Sequence, residues 1–169
     1  ERQYNLINEQ DGDILELPFS VFGNDWDLLQ EYLKKKGNPL YKLTGFVKPP
    51  SNIESLGNLV SVKGPLDLFL SEIESLGMLT SVTEDIDLSV TKKLKSLGNL
   101  TSVGDCLFMN KSKVESLGKL VSVNGDLQAE NTPLTSLENL TYVGKTLSLT
   151  KSDIVSLGNL SFVGSNLYL

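Results

Sequence analysis

The chain has no histidine, one cysteine (Cys106), one arginine (Arg2) and one tryptophan (Trp26) in 169 residues. Without histidine there are no imidazole-based triads, no Cys–His dyads and no imidazole metal or haem ligation. A lone cysteine cannot close an internal disulfide, which fits a reducing compartment or a virion assembled in one. A net charge of −6 with one guanidinium argues against nucleic acid, whose capture rests on cations neutralising phosphates. No apolar run approaches the roughly 20 residues that cross a bilayer. The start, Glu1 to Asn5, has no signal-peptide apolar core, so the expected location is the cytoplasm or a virion, with no membrane partner. P-loop, dinucleotide and calcium-repeat motifs are missing, and the serines have no base partner. Asp67, Asp85 and Asp87 read as a solvated acidic strip. The chain is expected to be no enzyme, with no cofactor and no metal site.

What is present is repetition. Ile53-Glu54-Ser55-Leu56-Gly57-Asn58-Leu59-Val60-Ser61-Val62 returns as Ile73 to Val82, Leu94 to Val103, Val114 to Val123, Leu134 to Val143 and Ile154 to Val163, in steps of 20, 21, 20, 20 and 20 residues. The one long step carries an extra residue at Lys92-Lys93. Between copies lies a period-two run, the pattern of a short strand: Leu66-Asp67-Leu68, Ile86-Asp87-Leu88, Leu107-Phe108-Met109, Leu127-Gln128-Ala129, Leu147-Ser148-Leu149 and Leu167-Tyr168-Leu169. A hydroxyl follows in five coils, at Ser71, Thr91, Ser112, Thr132 and Ser152. A coil of 20 residues cannot repay its ordering entropy from about six buried apolar side chains, so the coils must stack.

The unit L-x-L-x-x-[S/T]-x-[I/L/V]-x-S-L-G-x-L-x-x-V resembles the leucine-rich repeat in its short form. It is more similar still to the SLGNL-x-SVGG-x-L-x-L repeats of uncharacterised bacterial and bacteriophage proteins. The resemblance covers residues 51–169, and the Asn24-Asp25-Trp26 and Gly37-Asn38-Pro39 of the leading segment share it. It implies a β-dominated α/β repeat solenoid, a leucine-rich-repeat-like parallel β stack, with SLGNL on the face opposite the strands. Where the family has asparagine this chain has Ser71, Thr91, Ser112, Thr132 and Ser152, expected to form an inward ladder that satisfies turn backbone. Gly57 and its equivalents suit a tight turn. Glu138 in the fifth copy suggests that a positive φ is not obligatory there.

Residues 1–50 do not follow the repeat and are expected to cap the stack, leaving six coils, the last incomplete, over 51–169. Asp11-Gly12-Asp13 suggests a turn and Ile14 to Phe19 an extended piece. A helix is expected over about 25–36, N-capped by Asn24 or Asp25, with Lys34 to Lys36 in its last turn and Gly37 as a left-handed terminator. Leu43 to Val47 reads as a degenerate first coil.

Because the framework repeats, function is expected in the variable strand positions. Asp67, Phe69, Asp87, Phe108, Gln128 and Tyr168 are the candidate partner-binding residues, and an aromatic on a solvent-facing strand position packs or binds. The expected function is a non-enzymatic protein-binding module, of phage origin if the resemblance holds. The alternative is a structural virion component, with end-to-end contact through the C-terminal coil; a remoter one is the recognition part of a larger enzyme.

Overall fold

A computed structural model describes residues 14–169; the expected Asp11–Asp13 turn lies outside the described residues. The chain opens with β1 (Leu15–Pro18), a 3-10 turn (Phe19–Phe22), helix α1 (Trp26–Lys35) and β2 (Tyr41–Thr44). Each coil then adds two strands. Coil one has β3 (Leu59–Lys63) and β4 (Leu66–Asp67), coil two β5 (Ser81–Val82) and β6 (Ile86–Asp87), and coil three β7 (Ser102–Val103) and β8 (Leu107–Phe108). Coil four has β9 (Ser122–Val123) and β10 (Leu127–Gln128), coil five β11 (Tyr142–Val143) and β12 (Leu147–Ser148), and coil six β13 (Phe162–Val163) and β14 (Leu167–Tyr168).

The strands form two parallel ladders. Sheet A runs β1-β2-β3-β5-β7-β9-β11-β13 and sheet B runs β4-β6-β8-β10-β12-β14. A third set of contacts, the parallel bridges Ser55–Ser75, Ser96–Ser116 and Ser136–Ser156, lines the remaining side. The described residues form a parallel β-solenoid of about six turns with one α-helix at its N-terminal side. A single sheet opposite the SLGNL segments was expected; the Ser-Val pairs build a second one.

Six inward columns fill the interior. In coil one they are Ile53, Leu56, Leu59, Val62, Leu66 and Leu68, and the same six positions are buried in coils two to five. In coil six Leu157, Leu167 and Leu169 are exposed. Among the described residues no helix is long and apolar enough to cross a membrane.

The corners explain the constant polar residues. Each motif serine, Ser55, Ser75, Ser96, Ser116, Ser136 and Ser156, accepts the N–H two residues on at 3.0–3.1 Å. This side-chain turn aims the chain into the glycine corner, where Gly57, Gly77, Gly98, Gly118 and Gly158 have φ of 56–59°. Glu138 keeps that conformation at φ 49°. The suggestion that Glu138 relaxes the requirement is therefore wrong: the stacked backbone imposes the angle, and the glutamate bears the strain. A second corner follows each sheet B strand. There Ser71, Thr91, Ser112 and Ser152 donate N–H to the carbonyl three residues back, and Leu70, Val90, Lys111, Asn131 and Lys151 have φ of 54–63°.

The cap is continuous with the stack. Asp25 Oδ1 accepts the Asp27 and Leu28 N–H groups at 2.9 and 3.1 Å, so Asp25, not Asn24, caps α1. Gly37 at φ 82° ends it as expected. Trp26, Leu29 and Leu33 are buried. β1 pairs with β2 and β2 with β3, all parallel, so the segment before residue 51 supplies two rungs of sheet A.

Candidate binding face

The outward column of sheet B is in register from end to end. Asp67 pairs with Asp87, Asp87 with Phe108, Phe108 with Gln128, Gln128 with Ser148 and Ser148 with Tyr168. Five candidates therefore share one column, and Phe69 stands just beyond it, 46% exposed. Tyr168 is 51% exposed, whereas Phe108 is partly buried between its neighbours.

Asp67 and Asp87 also have a structural duty. Each Oδ1 accepts the N–H two residues on, from Phe69 at 3.0 Å and Ser89 at 2.8 Å, closing an Asx turn at the strand end. They lie on adjacent rungs, a repulsive arrangement of like charges. Lys48 relieves it at one end, with Nζ 2.7 Å from Asp67 Oδ2.

Farther along, the column forms a linked polar set. Asn110 Nδ2 donates to Gln128 Oε1 at 3.1 Å, the Glu130 N–H donates to Asn110 Oδ1 at 2.8 Å, and Ser148 Oγ donates to Glu130 Oε1 at 2.7 Å. Ser148 is short between Gln128 and Tyr168, and a cavity of about 410 Å³ opens there, lined by Gln128, Glu130, Thr146, Ser148, Thr150 and Tyr168. It joins the candidates Gln128 and Tyr168 to Glu130 and Ser148, which sequence reasoning did not single out.

The expected hydroxyl ladder is present as a buried column, with uneven bonding. Thr91 and Thr132 each donate Oγ to the carbonyl three residues back, Leu88 and Ala129, at 2.8 Å. The Oγ atoms of Ser71, Ser112 and Ser152 are buried without a partner. The threonine methyl restricts χ1, whereas a serine rotor is free.

Other side chains bond one coil to the next. Asn58, Asn99 and Asn139 donate Nδ2 to the carbonyls of Asn38, Gly77 and Gly118 one coil back. Thr80, Thr101, Thr141 and Ser161 likewise donate Oγ to the preceding coil's backbone. The column before sheet B is a third ladder. Asp85 Oδ1 accepts the Cys106 N–H at 2.8 Å, Cys106 Sγ the Asp126 N–H at 3.4 Å, and Asp126 Oδ1 the Thr146 N–H at 2.9 Å.

Asp85, Asp105 and Cys106 have ligand atoms within 4.8 Å of one another, but Asp85 and Cys106 are engaged in that ladder, and Asp105 accepts from Cys106 Sγ at 3.4 Å and meets Lys145 Nζ at 3.3 Å. Burial pushes the Cys106 thiol up; the Asp126 N–H opposes this, while Asp105 and Asp85 add to it. A raised thiol is the reverse of an activated nucleophile.

On sheet A the outward column of serines ends in Tyr142 and Phe162, stacked at 5.0 Å between centroids and 6° between planes. Period-two reading missed this pair because the Ser-Val strand is two residues long.

The fold and this face define a class, a helix-capped parallel β-solenoid with a variable strand face. Comparison of the chain with protein-family models, curated proteins and solved structures finds no match.

Proposed function

We propose that the chain is a non-enzymatic protein-binding module that meets its partner with the outer face of sheet B. One observation carries this reading. The outward column of sheet B changes from coil to coil along its whole length, with Tyr168 in it and Phe69 just beyond it about half exposed, whereas the outward column of sheet A is serine in four coils before Tyr142 and Phe162. Exposed aromatics on a rigid scaffold are the groups that dominate protein interfaces.

The test is capture by the immobilised protein from cell lysate. Phe69→Ser with Phe108→Ser should lose specifically captured proteins, whereas Tyr142→Ser on sheet A should keep them, all with unchanged circular dichroism. Equal capture by the sheet B variant would refute the reading.

A structural spacer, as in a virion, is the second reading. Two uninterrupted parallel ladders, which give a stiff rod, support it. In that case sedimentation velocity would show end-to-end species growing with concentration.

A further inference from the structure

We propose that the cavity between Gln128 and Tyr168 on sheet B is an anchor for one arginine side chain of a protein partner. The inference rests on reading sheet B as the contact face and gives that face its chemistry.

Charge is the first argument. Among the described residues, Glu130 is the one charged side chain lining the cavity, and no cation lines it. Farther along the same column stands Asp87, with Asp67 beyond it already paired to Lys48, so the cavity itself favours a cation over an acidic peptide or a phosphate. A neutral guest covering Glu130 would strip water from a carboxylate without returning a charge, which is unfavourable. A cation returns it.

The second argument is preorganisation. Ser148 Oγ holds Glu130 Oε1 at 2.7 Å, leaving Oε2 for a guest, and Asn110 fixes both the Glu130 backbone and the Gln128 amide. Little ordering remains for binding to impose.

The third argument concerns shape. The exposed Tyr168 ring lines the same cavity as Glu130. A guanidinium is planar, stacks on aromatic faces and spreads five donors in its plane, whereas an ammonium is a compact, strongly hydrated point charge. Thr146, Thr150 and Glu130 line the same cavity and carry oxygen acceptors.

The experiment uses the intact chain and amide NMR, with Nα-acetyl-arginine amide as the probe and the lysine and citrulline analogues for comparison. The arginine probe should shift the amides of Ser148, Thr150 and Tyr168 at millimolar concentrations, and added salt should weaken it. Citrulline, nearly isosteric and uncharged, should bind roughly tenfold more weakly, and Glu130→Gln should lose a similar factor. Tyr168→Leu should erase the preference for arginine over lysine while leaving the fold intact.

Equal binding of citrulline and arginine, or shifts confined to other faces, would overturn the inference. So would saturable binding of a neutral methyl glycoside at this cavity without arginine binding. Arginine binding with capture unaffected by the Phe69 and Phe108 changes would fail the wider reading alone. The converse result would fail only the anchor.

Discussion

At the scale of single residues, the corners hold the strain. A positive φ suits glycine and is tolerated by asparagine, but it crowds a β-branched side chain against its own carbonyl. The corner after sheet B uses Asn131 once and Val90 in the equivalent place at φ 63°. Val90→Asn should therefore raise stability by about 1 kcal/mol, seen as a higher urea midpoint with unchanged slope; a fall would mean that the valine packs for more than its strain. The buried hydroxyls give a second contrast. Thr132 Oγ1 satisfies the Ala129 carbonyl, so Thr132→Val should lose about 1 kcal/mol. Ser112 Oγ has no partner, so Ser112→Ala should be neutral or stabilising. Equal losses in the two variants would show that the serine makes the same bond in solution.

At the scale of elements, legibility followed length and period. The helix was readable because caps, dipole charges and an apolar face agree over ten residues, Trp26–Lys35. Strands such as Leu66-Asp67-Leu68 were readable because apolar residues flank a variable one. The Ser-Val strands of sheet A have no such signal: two residues between turns show no period, and their pairing exists only between coils. For the same reason Asp67 and Asp87 looked like free surface charges when their carboxylates close turns. The joint between cap and stack was also not visible in sequence, and it has a titratable group. Tyr41 on β2 is buried, with Gln30 Nε2 of α1 3.4 Å from its hydroxyl. Burial raises its phenol from about 10 to about 12, partly offset by the Gln30 bond. The folded state favours the protonated phenol, so its contribution is complete below pH 10. It is lost between about pH 10 and 12 as the unfolded chain ionises first. The slope is about 1.4 kcal/mol per pH unit. Urea midpoints at pH 9 and 11 should differ less in Tyr41→Phe than in the parent chain. An identical fall would place the alkaline sensitivity elsewhere.

At the scale of the whole molecule, the chain is a one-dimensional stack in which each coil touches its neighbours. The first coil rests on α1, β1 and β2, whereas coil six leaves Leu157, Leu167 and Leu169 exposed at positions that are buried in coil five. Stability in such an array is a sum of coil and interface contributions, so damage should spread unevenly. Leu120 is fully buried in coil four, and Leu120→Ala should remove about 2–5 kcal/mol of packing. Hydrogen exchange at sheet amides should then accelerate from coil four through coil six, while β2, β3 and β4 keep most of their protection from the cap. Because both ladders also pass through coil four, amides of sheets A and B at the same coil should lose protection together. A uniform acceleration at every amide, from β2 to β14, would instead show one global unfolding unit, with the cap and the last coil equally firm.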